Sequence, residues 1–149
     1  PMIAITHCEA AKVTDKFGAG ANDILCSTQW AETLSYEDEY FGTAAEFHET
    51  FKNTFDGYTT VPYQSAQAAA AVLVWKDAFE RADSFDIEKV RDAIAATEMN
   101  TFYGPIKFSE AGNNIAKPMV LRQIQDGKYN VVAPSKWASH PVNFPRQAP

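Results

Sequence analysis

Apolar and polar positions along this chain change period several times, and each change marks the edge of an element. Residues 2–6 (MIAIT) form a short apolar run suited to a strand buried on both faces. Residues 10–17 predict a short helix that Gly18-Ala19-Gly20 stops, and residues 22–28, centred on Ile24-Leu25-Cys26, predict a second buried strand. Together they make a β-α-β unit, whose default is parallel pairing through a right-handed crossover. Residues 31–40 carry Glu32, Glu37, Asp38 and Glu39 and predict a surface loop.

Helical spacing then takes over. Within 42–55, Ala44, Phe47, Phe51 and Phe55 lie on one stripe, and Gly57 follows as a stop. Pro62 suits the first turn of a long helix reaching Ala82, in which Val72, Trp75 and Phe79 share a face and the alanines at 66 and 68–71 allow close packing. Asp86 predicts the N-cap of a third helix with Ile87, Val90 and Ile94 at core spacing. Such stripes predict packing and do not argue for a cofactor. Beyond the Gly104-Pro105 turn, Ile106-Lys107-Phe108 alternates as a short strand does. Residues 119–125 and 128–133 predict a hairpin, because Asp126-Gly127 between them suits a type I′ turn. A hairpin at this point predicts that it closes or caps a sheet, with an extended, proline-rich tail after Pro134.

The chain has 149 residues, 46% of them hydrophobic, which is enough for a real core. A net charge of −6 argues against nucleic acid or an anionic membrane as the partner, since both want a basic patch. No run approaches the roughly 18 apolar residues needed to span a bilayer. The chain begins at Pro1 without a signal peptide and reads as a piece of a longer protein.

His7-Cys8-Glu9 invites a thiol-nucleophile reading. Neighbours on an extended segment point in alternate directions, so His7 and Cys8 do not readily share a proton. His48 and His140 show no metal-ligand spacing to His7, and no glycine-rich phosphate loop precedes a helix. The residues therefore predict neither catalysis nor a metal nor a cofactor. Ligands of open parallel sheets sit outside the carboxyl ends of the strands, where residues 6–9 and 28–30 fall. That places Thr6, Glu9 and Trp30 at the ligand edge. Tyr63 and Gln64 join them from the first turn of the long helix, where free N–H groups can receive an anion. Glu9 has a second reading, as the acidic start of the helix at 10–17, and Trp30 and Tyr63 have one as well, as ordinary packing side chains.

The ordered set Gly104, Phe108, Gly112, Asn113, Gln123, Gly127 and Lys128 within 99–134 resembles the C-terminal part of the extracytoplasmic solute-binding proteins of branched-chain amino acid ABC transporters, the type I periplasmic binding proteins. The resemblance implies an α/β chain that is part of a two-lobed fold: parallel Rossmann-like sheet segments, long helices and a C-terminal β-hairpin. It assigns 1–29 to the second lobe, 30–118 to the mainly helical part of the first, and 119–149 to the second again. It implies a non-catalytic protein that binds a small ligand between two lobes and presents it to a membrane permease. The ligand class is a branched-chain or related amino acid, an amide or an aromatic acid, and a carboxylate near Glu9 would meet the ammonium of an amino acid.

The expected location is periplasmic or otherwise extracytoplasmic. The expected partners are the ligand, the permease and the N-terminal part of the chain's own fold, with self-association or domain swapping covering unpaired strand edges. A ligand-sensing regulator on the same fold is the alternative, and an enzyme on a flavodoxin-like fold is a distant third. Cys8 and Cys26 lie toward the carboxyl ends of strands expected to be neighbours. Two free buried thiols are expected there, because a bridge requires matching Cβ directions.

Overall fold

The chain folds into a computed structural model that describes residues 2–9 and 12–146. Its elements in order are β1 (Ala4–Thr6), α1 (Val13–Phe17), β2 (Leu25–Thr28), β3 (Glu37–Asp38), β4 (Gly42–Thr43) and α2 (Ala44–Thr54). They continue as α3 (Tyr63–Ala82), α4 (Ile87–Ala95), β5 (Glu98–Thr101), β6 (Gly104–Lys107), β7 (Val120–Gln125) and β8 (Lys128–Ala133). Two compact units result, one from Pro1–Leu34 with Met119–Pro149 and one from Ser35–Pro118. The expected boundary at 29/30 thus differs from the structural division after Leu34; Trp30, Ala31 and Leu34 are all buried.

The first unit is a mixed four-stranded sheet in the order β1-β2-β7-β8. β1 and β2 run parallel, with Ile5 opposite Cys26, while β2-β7 and β7-β8 are antiparallel. The closing hairpin turns at Asp126 (φ 51°) and Gly127 (φ 75°), the two left-handed residues that a type I′ turn requires. One sheet face is apolar. Ile24, Cys26 and Ile124 pack there with Cys8, Val13 and Ala21 from the β1–β2 connection. That connection is shorter in helix than expected: α1 has five residues and continues as a 3-10 turn over Gly18–Ala21, and positions 10 and 11 lie outside the described residues.

β1 corrects the expectation of a strand buried on both faces. It is the sheet's edge, and Ile3 and Ile5 are 38% and 36% exposed. The tail is also more than an extended strand end. Gln123 donates to the carbonyl of Asn143 (3.0 Å) and Gln125 to that of Pro141 (2.8 Å). Arg146 reaches back to the carbonyls of Gly20 and Asn22 at 2.7 and 3.1 Å.

The second unit is helical, with two small hairpins, β3-β4 and β5-β6. The expected loop at 31–40 contains β3, which pairs with β4. Helix α2 starts on a reciprocal cap: Thr43 Oγ1 accepts from Glu46 N–H while Glu46 accepts from Thr43 N–H. Its stripe packs through Phe47, whose ring stacks on Phe102 at 4.0 Å, whereas Phe55 at the far end is 51% exposed.

Helix α3 spans the expected residues but packs through another face. Ala66, Ala70, Leu73, Val74 and Ala78 are buried, while Val72, Trp75 and Phe79 are 64%, 50% and 36% exposed. Small side chains let α3 approach its neighbour closely, so the bulky stripe is left outward. Asp86 caps α4 as expected, accepting from Lys89 N–H at 3.1 Å, and Val90 is buried, but Ile87 is 80% exposed. Trp75, Phe79, Phe85, Ile87, Val90 and Ile94 line an apolar groove of about 690 Å³.

Candidate functional site

Beyond the carboxyl end of β1 the chain bends sharply at His7, which takes a left-handed φ of 60°. The bend swings Cys8 back over β2, and Cys8 is joined to Cys26 across a Cα separation of 6.0 Å. The expectation of two free thiols is therefore corrected. Cys26 sits opposite Ile5 in the register, and the turn at His7 supplies the Cβ direction that a straight strand would not. With its sulfur in a disulfide, Cys8 offers no thiol to the His7-Cys8-Glu9 triplet.

Glu9 follows, and its carboxylate turns to Arg122 on β7 in an ion pair whose side chains are 4% and 2% exposed. Arg122 lies on the sheet face of Cys26, its register partner, and its guanidinium also stands 5.1 Å from the centre of the Tyr129 ring. Burial pushes Arg122 down to about 10. Glu9 does not cap α1: Lys12 is the N-cap, and the Glu9 carbonyl accepts the Lys12 N–H at 3.0 Å. Thr6 is exposed at the end of β1 and lines an open hollow of about 460 Å³ with Ala4, Ile5, Ser27 and Leu121. Trp30 is 1% exposed, beside a loop in which the Thr28 hydroxyl donates to the Trp30 carbonyl at 2.9 Å. In this unit the sheet thus brings Thr6, Glu9 and Trp30 to loops that follow β1 and β2, with Glu9 and Trp30 turned inward.

Tyr63 and Gln64 belong to the second unit, in the first turn of α3, and both are partly buried. The turn there begins at Pro62, and no side chain caps it. Tyr63 interacts electrostatically with Tyr103, whose phenol is raised mainly by burial. Tyr103 sits in the β5-β6 turn, which Thr101 ties together: its hydroxyl donates to the Gly104 carbonyl (2.9 Å) and accepts from Tyr103 N–H (3.2 Å).

Lys117 reaches this turn. Its ammonium donates to the Tyr103 carbonyl and stands 4.0 Å from the centre of the Tyr103 ring and 5.0 Å from that of Tyr36. Burial lowers Lys117 to about 7. Sequence reasoning missed Arg122, Lys117, Tyr36 and Tyr103. A signal existed for Arg122, a charged residue two positions from Ile124 on the apolar face of a strand; the tyrosines came from distant segments and carried none.

Among the described residues no three His, Cys, Asp or Glu side chains gather as a metal site, and no helix is long and apolar enough to cross a membrane. A family model described as "Periplasmic binding protein" matches residues 2–128. A leucine binding protein from Thermotoga maritima matches with a TM-score of 0.71 at 24% identity, over 89% of this chain and 36% of its own. A putative branched-chain amino acid ABC transporter protein from Silicibacter pomeroyi gives 0.72 at 15%, over 97% and 40%. A solute binding protein of an ABC transporter from R. palustris, in complex with benzoate, gives 0.58 at 20%, over 84% and 32%. At these identities the structural likeness establishes the fold, and the chain spans no more than 40% of the length of these three proteins.

Proposed function

Because the chain belongs to the periplasmic binding protein family, which its sequence matches over residues 2–128, we propose that it is part of an extracytoplasmic solute-binding component of an ABC transporter. The family match carries this reading. On it, the two units contribute to two lobes, the ligand is a small amino acid, amide or aromatic acid, and a membrane permease receives it. The match to leucine- and benzoate-binding proteins supports that ligand range. Thr6, Tyr63 and Gln64 are proposed as contacts. Glu9 and Trp30 are proposed to shape the loops behind them, since both side chains are buried.

The Cys8–Cys26 bridge supports an exported protein over a cytoplasmic ligand sensor, because structural disulfides persist in oxidising compartments. A thermal-shift screen of the full chain against leucine, benzoate and acetamide tests the reading. A ligand that binds only the folded state raises the melting temperature, by an amount that grows with the logarithm of its concentration above Kd. A shift with at least one of these compounds is expected, and no shift with any of them contradicts the proposal.

A further inference from the structure

Among the described residues six lysines and arginines form ion pairs, and of the lysines that form none only Lys117 is drawn in from the surface. Lys52, Lys76, Arg81, Arg91 and Lys107 each meet a carboxylate on the surface, and Arg122 meets Glu9 inside. Lys117 is partly buried and forms no ion pair among the described residues; two tyrosine rings and one backbone carbonyl surround it instead. In a chain of net charge −6, an amine held away from every carboxylate is costly to keep unless something else meets it.

We propose that Tyr36, Tyr103 and Lys117 form a binding site for the carboxylate of a small monocarboxylate ligand. This rests on the solute-binding reading and names the charged group that the ligand presents. An ammonium has three donors. One goes to the Tyr103 carbonyl, which fixes the amine in place and leaves two for an anion. The rings of Tyr36 and Tyr103 flank it as apolar walls, against which the ligand's hydrocarbon part can lie.

The backbone is built around this approach. Gly104 has φ +131°, and a Cβ there would lie 2.7 Å from Lys117 Nζ and 3.1 Å from the Tyr36 ring, so the lysine occupies space that any other residue would fill. Tyr103 is coupled in turn to Tyr63 at the start of α3, which joins the cluster to two residues already proposed as contacts. Burial without a counter-ion depresses the amine, and an arriving carboxylate restores its charge in a site of reduced dielectric, where a charge-assisted hydrogen bond is strong. Tyr36 and Lys117 also stand one residue inside the two ends of the second unit, Ser35 and Pro118.

Isothermal titration of the full chain with two matched pairs, benzoate with benzamide and leucine with leucinamide, tests this. Each amide keeps the shape of its acid and lacks the carboxylate. The acid of one pair is expected to bind, and which pair it is separates an aromatic acid from an amino acid. Lys117→Met is expected to weaken that acid by about tenfold or more, down to the level of its amide, and to leave the amide unchanged. A merely structural role would weaken acid and amide alike.

A measurement on the unaltered protein keeps the test independent of the variant's folding. The binding acid is expected to slow acylation of Lys117, read by peptide mass spectrometry, while its amide does not. Equal binding of acid and amide, unchanged acid binding by Lys117→Met, or unprotected Lys117 overturns this site alone. Failure of the wild-type chain to bind either acid overturns it, and if the thermal-shift screen is also blank, the solute-binding reading goes with it.

Discussion

The two units solve the same problem with different chemistry. The first holds a small sheet together with a disulfide, a buried Glu9–Arg122 pair and a polar latch from Gln123 and Gln125 to the tail. The second relies on aromatic stacking, with Phe47 and Phe102 at 4.0 Å and Phe41 edge-on to both, at 5.3 and 5.1 Å. A sheet unit assembled from the two ends of the chain has few helices to bury, and covalent and charged contacts take the place of a large core. The helical unit has apolar surface to spare, and leaves Trp75, Phe85 and Ile87 half to nine-tenths exposed. One unit should therefore respond to charge and redox state, and the other to lost apolar volume.

The largest effect is expected from Arg122→Met. It leaves Glu9 charged and unpaired in the interior, which should cost about 3–5 kcal/mol in urea unfolding. Adding Glu9→Gln should return most of that loss; a single variant within about 1 kcal/mol of wild type would erase the contrast between the units. Phe102→Ala probes the other side of the comparison. Phe102 is fully buried between Phe41 and Phe47, and its truncation should also cost about 3–5 kcal/mol, with hydrogen exchange locating the loss in the helical unit.

Reduction, or the double change of Cys8 and Cys26 to serine, should cost about 3 kcal/mol, because the bridge closes a short loop of 18 residues' separation. The midpoint of thermal melting with and without reductant reads this directly. An unchanged midpoint would remove the covalent part of the contrast.

The smallest effect concerns pH. Lys117 is lowered in the folded chain to about 7, against an ordinary lysine in the unfolded one. Between these values the unfolded chain binds the extra proton, so this group's contribution to stability rises as pH rises from about 7 toward 10. The rise should be about 1–2 kcal/mol after solvent screening of a partly exposed amine, and Lys117→Met should flatten it. An identical pH slope in the variant would show that the amine is not depressed.

What could be read from the sequence was what depends on near neighbours. Asp126-Gly127 takes the turn its backbone preferences dictate, Asp86 caps α4, and α3 ends at Ala82. The side of a helix that packs is a different matter, since it depends on what lies opposite. Trp75 and Phe79 looked like core by spacing, but the alanines on the other face allowed the closer approach. The candidate site divides in the same way. Loops at strand ends could be placed from Thr6 and Trp30, whereas the partner of Glu9 lies on a strand near the other end of the chain, and the Cys8 bridge depends on one left-handed residue at His7.

The central claim, that this chain belongs to a protein that captures a small solute, is tested most directly by equilibrium dialysis of the full chain against labelled leucine, benzoate and acetamide. The account predicts that one of them is retained saturably, at about one molecule per chain, and released when the protein is unfolded. Retention of none, or retention that never saturates, would contradict it.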